Sequence, residues 1–201
     1  MIAVIDYDAG NIKSVQKALE FLGKQAVVTR DRNEILTAER VILPGVGNFG
    51  DAMAKLKNFG LVSVLEEVAK QGTPFLGICL GLQLLFEESE ESPGVKGLGL
   101  LPGRIVRIPK ETGLKIPQIG WNALKYPSKG RLFEKVPEGA YVYFVHSYYL
   151  QAQEKEIVKA TVEYGVTVEA SVEKDNIFAC QFHPEKSSEA GLQILRNFMN
   201  V

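Results

Sequence analysis

The chain opens on an unbroken apolar run, Met1 to Ile5, that stops at the polar turn Asp6-Tyr7-Asp8-Ala9-Gly10-Asn11. Ile12, Val15, Leu19 and Leu22 then recur at the spacing of one helix face, and Gly23 stands where such a helix would end. Ala26-Val27-Val28 and Val41-Ile42-Leu43 repeat the short apolar run. Helical patterning returns at about 51–57 and again at about 62–70, closed by Gly72. Phe75-Leu76-Gly77-Ile78 then leads straight into a helical pattern over 80–86. Strands without polar alternation are buried on both faces, and parallel neighbours need crossover helices to return. The first half therefore predicts an α/β fold, a doubly wound and mostly parallel sheet of flavodoxin-like type.

The second half changes pattern. Segments 105–108, 141–150, 157–163, 167–172 and 177–182 are rich in β-branched and aromatic residues, with short turns at 163–165 and 174–176. They predict hairpin-like strands, either an antiparallel extension of the same sheet or a small second one. A final amphipathic helix is expected over about 188–199, with Leu192, Leu195 and Met199 on one side. No repeat, low-complexity tract or linker interrupts residues 1–201, which read as one domain.

Composition narrows the function classes. With 46% hydrophobic and 23% charged residues the chain is ordinary globular material, which excludes disordered and fibrous readings. Twenty-three Lys and Arg against 24 Asp and Glu leave no cationic surplus to neutralise phosphates, which argues against nucleic-acid binding. No apolar stretch approaches the roughly 18 residues of a membrane span, and the start lacks the cationic flank of a signal peptide. Two cysteines, Cys79 and Cys180, make no disulfide framework and fit a reducing compartment. These features together predict a cytoplasmic protein.

The candidate chemistry begins at Gly77-Ile78-Cys79-Leu80-Gly81, between a predicted strand and a predicted helix. This is the form of a nucleophile elbow, with cysteine in the place of serine. Small residues two positions either side leave room for a sharp turn, and the positive end of the following helix favours a thiolate. The amide of Leu80 then points where an oxyanion would form. A buried inert cysteine would fit the same five residues. A thiolate nucleophile needs a proton carrier, and the chain holds two histidines. His183 follows a predicted strand and has Glu185 two residues on, across Pro184, so a carboxylate can hold one ring nitrogen while the other faces the thiol. His146 sits among aromatic residues with no acid within five positions, the setting of a structural histidine. Cys180 falls on the opposite strand face from His183 and reads as core.

A second glycine-rich corner, Leu43-Pro44-Gly45-Val46-Gly47-Asn48-Phe49, would bring a backbone amide near a ligand or simply make a tight turn. It has neither the dinucleotide nor the phosphate-loop spacing. Gln83, one helical turn beyond Cys79, is open to two readings, an exposed helix residue or a ligand contact. No His, Cys, Asp or Glu cluster has metal-ligand spacing, so neither a metal nor another cofactor is expected.

These segments resemble the class I glutamine amidotransferases, whose Cys-His-Glu triad would fall on Cys79, His183 and Glu185. Residues 6–14, 43–49, 74–86, 97–103, 143–148 and 180–188 span the chain. Together they are similar to one family within that class, the glutaminase subunits of imidazole glycerol phosphate synthase. One departure is Gln118, in Pro117-Gln118-Ile119-Gly120-Trp121-Asn122, where that family often has histidine. The resemblance implies that Cys79 attacks a glutamine carboxamide and that His183, steadied by Glu185, passes a proton to the departing nitrogen. Water then hydrolyses the glutamyl thioester. Amides of Gly47 and Leu80 would hold the oxyanion, and Gln83, Ser147 and Tyr148 the amino-acid end of glutamine. In relatives the Gly47 peptide can need to turn before its amide points inward, and one such donor is worth about 10²–10³ in turnover.

The implied partner is a (β/α)8-barrel cyclase, joined as a heterodimer, that receives unprotonated ammonia across a dry junction. The pair would make imidazole glycerol phosphate and AICAR in histidine biosynthesis, with Asn11, Trp121, Tyr143 and Lys186 on the shared face. Trp121 and Tyr143 would equally suit ordinary core positions. Rival readings are the glutaminase subunit of pyridoxal phosphate or anthranilate synthase, and a non-enzymatic flavodoxin-like binding or redox module.

Overall fold

The computed structural model describes residues 1–110 and 113–201. In the first half, β1 (Ile2–Ile5), α1 (Ile12–Phe21), β2 (Ala26–Thr29), α2 (Arg32–Leu36), β3 (Arg40–Gly45), α3 (Phe49–Asn58), α4 (Leu61–Lys70), β4 (Phe75–Cys79) and α5 (Leu80–Leu84) follow one another. Then come β5 (Glu88–Ser89), β6 (Gly103–Arg107), β7 (Gln118–Ala123), β8 (Tyr141–His146), β9 (Tyr148–Ala152), β10 (Val158–Glu163), β11 (Thr167–Lys174), β12 (Ile177–Cys180) and α6 (Ser188–Phe198). The main sheet runs β2-β1-β3-β4-β12-β11-β9-β6-β5, with β10 paired to β11 outside that order. Pairing is parallel from β2 to β12 and antiparallel from β12 to β6.

The unbroken apolar strands are explained by helices on both faces. Ala3 and Ile5 of β1 pack with Val41, Leu43 and Phe75 under α3 and α4, while Ile2 and Val4 pack with Ile42, Leu76 and Ile78 under α1 and α6. Alternate residues of one strand thus enter two separate cores, and a polar residue at either position would be buried. In α6 the buried positions are Ile194, Leu195 and Phe198, with Met199 just beyond the helix, whereas Leu192 is only partly covered. No helix among the described residues is long and apolar enough to cross a membrane.

Several elements differ from the sequence expectation, among them β7, where no strand was expected. The run 141–150 is not one strand. It breaks at Ser147, so that β8 pairs with β7 in a separate two-stranded ribbon while β9 joins the main sheet. The corner is held by the Ile108 amide donating to the Ser147 carbonyl at 2.9 Å. The second half therefore builds both an extension of the sheet and a small second one. The helix after Cys79 ends at Leu84 rather than Phe86. α2 lies where no helix was expected, capped by Asp31, whose side chain accepts from the amides of Asn33 and Glu34.

One register matters most for function. β12 lies parallel to β4, with Ile177 opposite Phe75 and Cys180 opposite Ile78. The chain leaving β12 therefore emerges beside the chain leaving β4, and brings Gln181 and His183 to Cys79 from a hundred residues away.

Candidate active site

Cys79 sits at the strand-to-helix corner with φ 55° and ψ −110°, a conformation that L-residues rarely adopt. The two flanking glycines are required by space. A Cβ at Gly81 would fall onto the carbonyl oxygen of Leu43, and one at Gly77 would lie 2.8 Å from the carbonyl oxygen of Gly81. The turn is thus wedged between β3 and its own helix, which holds the strained cysteine in place.

The proton carrier stands in the turn after β12. His183 Nδ1 lies 2.7 Å from Glu185 Oε1, and the two side chains are 1% and 0% exposed. Nε2 is shut away from water with no partner of standard hydrogen-bond geometry. The Cys79 sulfur is close enough to act on the ring as a hydrogen-bonding neighbour and as a charge. Burial disfavours the charged ring, but Cys79 and Glu185 together outweigh it and raise its pKa from 6.5 to about 10. The arrangement favours a protonated ring facing the Cys79 sulfur, with the carboxylate steadying the far nitrogen. Cys180 is wholly buried, its thiol pushed well up by burial and by the nearby charges of Glu185 and Cys79, so it stays a core thiol.

A cavity of about 280 Å³ opens over the sulfur, lined among others by Gly47, Cys79, Leu80, Gln83, Ser147 and Tyr148. All the residues expected at the oxyanion and the substrate thus share one wall. Gln83 is buried, and its Nε2 donates to the Tyr148 carbonyl at 3.1 Å and to Gln181 Oε1 at 3.0 Å. Both its amide hydrogens are committed, so Oε1 is what it can offer a ligand.

His146 proves to line the same cavity. Its Nδ1 meets the Tyr148 carbonyl at 2.8 Å and its Nε2 meets Gln118 Oε1 at 2.9 Å. Burial, only partly offset by the carbonyl, and the charge of His183 lower its pKa from 6.5 to about 4. The ring is therefore neutral and carries a single proton, which serves one of the two facing oxygens. Gln118 in turn donates from its Nε2 to Asn122 Oδ1 at 2.8 Å. Gln118, the departure noted in the sequence, thus lies between this ring and Asn122.

The four residues expected at a partner face divide. Asn11 turns its Nδ2 onto Glu185 Oε1 and lies 3.4 Å from His183 Nδ1, so its side chain belongs to the triad's surroundings. Trp121 and Tyr143 are cross-strand neighbours on the ribbon, their rings 6.0 Å apart. Trp121 is 49% exposed, which removes it from the core, and Tyr143 is half-buried. Ile119 and Tyr141, each 61% exposed, extend the same apolar face. Lys186 is exposed in the turn beyond His183. That turn is tied to the ribbon, because the His183 amide donates to the Tyr143 carbonyl at 3.0 Å.

Sequence reasoning missed three side chains. Gln181, fully buried, places its Nε2 3.7 Å from Cys79 Sγ. Its distance of two residues from His183 puts it on the same side, and that parity was the available signal. Tyr7 donates to the Pro44 carbonyl at 2.9 Å, next to the Gly45–Gly47 corner. Its hydroxyl is pushed up by burial and by the charge of Cys79. Glu91 lines the cavity and accepts from the Phe49 amide at 2.8 Å. Among the described residues no group of three or more His, Cys, Asp or Glu is placed to hold a metal ion.

Comparison with known proteins bears on this geometry. The family model described as "Glutamine amidotransferase class-I" matches residues 3–201. "Imidazole glycerol phosphate synthase subunit HisH" of Moorella thermoacetica is 54% identical over 197 residues, covering 98% of this chain and 93% of the relative. The protein of that name from Desulfitobacterium hafniense (strain DSM 10664 / DCB-2) is 52% identical over 198 residues, with 98% and 93% covered. Among solved structures, one titled "Crystal structure of glutamine amidotransferase" superposes with a TM-score of 0.77 at 18% identity, covering 100% of this chain and 98% of the other, a likeness of fold.

Proposed function

From the premise that this chain belongs to the class I glutamine amidotransferases, we propose that Cys79, His183 and Glu185 form its catalytic triad. The chain acts as the glutaminase subunit of an imidazole glycerol phosphate synthase, releasing ammonia from glutamine in histidine biosynthesis. The observation that carries the residue assignment is the strained Cys79 beside an imidazole whose other nitrogen is held 2.7 Å from a buried carboxylate.

The Cys79 thiolate adds to the carboxamide carbon, and the oxygen takes up negative charge against the amides of Leu80 and Gly47. Collapse breaks the C–N bond. The nitrogen receives the proton carried by His183 and leaves as ammonia, and a glutamyl thioester remains. His183, now neutral, takes a proton from water as its oxygen adds to the thioester. The second collapse breaks the C–S bond, returns the thiolate and frees glutamate. Glu185 keeps Nδ1 occupied, so Nε2 trades the proton in both halves. Gln83 Oε1, with Ser147 and Tyr148, receives the amino-acid end of the substrate.

The chain works within a synthase complex, and our reading of its partner is a (β/α)8-barrel cyclase in a heterodimer. The exposed aromatic face of β7 and β8 supports this reading, since ammonia must cross unprotonated and an apolar junction excludes water. Trp121, Tyr143 and Lys186 would lie at that junction. Asn11 would report from its edge to the triad. Partner contact on the ribbon would act one hydrogen bond away from His183, through the Tyr143 carbonyl.

Glutamine turnover measured for the chain alone, with the barrel subunit, and with the barrel holding its nucleotide substrate tests the whole reading. A large rise on adding the loaded barrel is expected. Activation by the partner of pyridoxal phosphate or anthranilate synthase, with none by the barrel, overturns the partner assignment.

A further inference from the structure

Gln181 is the side chain that meets the Cys79 sulfur directly, though neither motif spacing nor family resemblance gives it a role. It lies in the step between β12 and the His183 turn, fully buried. A buried carboxamide can present its oxygen or its nitrogen, and only the surrounding network decides which. Here the network is polarised from one end. The Tyr148 carbonyl can only accept, so the atom of Gln83 that faces it at 3.1 Å is the nitrogen. That nitrogen also faces the Gln181 carboxamide at 3.0 Å, which must answer with its oxygen. The Gln181 nitrogen is thereby turned to Sγ, at 3.7 Å. Reversing the last link would set two buried N–H2 groups against each other, with the hydrogens that face one another left without an acceptor.

We propose that Gln181 is a further catalytic residue, a fixed N–H donor to Cys79 Sγ that holds the thiolate in line and stabilises its charge whenever the sulfur is free. The proposal rests on the reading of Cys79 as nucleophile. Its chemical reason lies in the proton traffic. His183 gives its proton away in the first half-reaction, so its help to the sulfur changes through the cycle. Tyr7 has committed its hydroxyl hydrogen to the Pro44 carbonyl. Gln181 is neutral at every pH and takes no part in proton transfer, so its donor is already in place when the C–S bond breaks and the thiolate returns.

The titratable groups that act on the sulfur are His183 from the turn after β12, Tyr7 from the loop after β1 and Cys180 on β12. Glu91, His146 and Tyr148 stand elsewhere on the cavity wall, and Glu185 acts through His183. None of them presents a second carboxamide to Sγ.

Two variants separate donation from packing. Gln181→Glu keeps an oxygen for the Gln83 hydrogen but turns the atom facing sulfur into a carboxyl oxygen, which removes the donor and adds a charge. Gln181→Met keeps the length and removes both polar atoms. In the synthase complex each is expected to lower kcat about ten- to a hundredfold, the worth of one hydrogen bond to a charged group, with KM little changed. Alkylation of Cys79 by iodoacetamide at neutral pH should slow by a similar factor and recover as pH rises. A residue that only packs would leave the neutral Gln181→Met near wild-type in both rates, and that result overturns the proposal. A third measurement uses the unaltered chain. The Gln181 side-chain N–H resonances should shift when Cys79 is alkylated, and resonances that stay in place contradict the proposal even if neither variant folds. Cys79→Ser separates the two layers of the argument. Turnover surviving in Cys79→Ser refutes the nucleophile itself, whereas turnover lost there but intact in both Gln181 variants refutes only the role of Gln181.

Discussion

The turn that carries His183 and the corner that carries His146 lie close enough for one ring's charge to act on the other, and both rings are buried, yet their acidities are driven in opposite directions. His146 meets a carbonyl and a carboxamide, both neutral, so burial prevails and its pKa falls to about 4. His183 suffers the same burial, but a thiol that can ionise and a buried carboxylate flank it, and its pKa climbs to about 10. Burial alone does not sort a catalytic histidine from a structural one. The charge of what it touches does.

The strongest way to break this contrast is to remove each ring. His183→Ala takes away the proton carrier and is expected to lower kcat by about 10²–10⁴. Glu185→Ala should cost less, because it loosens the ring without deleting it. Steady-state glutamine turnover in the activated complex measures both. Unchanged turnover in Glu185→Ala together with its abolition in His146→Ala would exchange the two histidines' roles.

A smaller effect sharpens the contrast through stability. His183, with a folded pKa raised from 6.5, stabilises the fold fully below pH 6.5 and loses that contribution as pH climbs toward about 10. His146, with a folded pKa lowered from 6.5, contributes above pH 6.5 and loses it as pH falls toward about 4. Its full acid-side loss is on the order of 3 kcal/mol. Urea unfolding across this range should show both limbs, and His146→Gln should flatten the acid limb alone. Flattening of the alkaline limb instead would contradict the assignment.

How much of this was legible in the sequence depended on range. The elbow could be read because its five residues are contiguous and their small-residue spacing is a steric demand, met here by the Leu43 carbonyl pressed against Gly81. His183 and Glu185 could be read because they stand two positions apart with only Pro184 between them. The parallel half was legible because both faces of each strand are covered. The corner at Ser147 was hidden, since apolar and aromatic residues flank His146-Ser147 on both sides and the break is held by Ile108, far away in sequence. β7 escaped because Gln118, Gly120 and Asn122 dilute its strand character, and pairing with β8 supplies what propensity does not. α2 was too short for a helical period to register, although Asp31 followed by Glu34 carried a capping signal. Gln181 has no motif of its own. Its meaning comes from a register between β4 and β12 and from a carbonyl on another strand.

The central claim is that the Cys79 sulfur is the nucleophile, addressed by glutamine in the cavity above it. The most direct test is covalent labelling of the intact chain by a glutamine-mimicking electrophile, with the modified residue located by mass spectrometry. A single adduct at Cys79, suppressed by glutamine and absent from Cys79→Ser, is the result predicted. Equal labelling of Cys79 and Cys180, indifferent to glutamine, would contradict it.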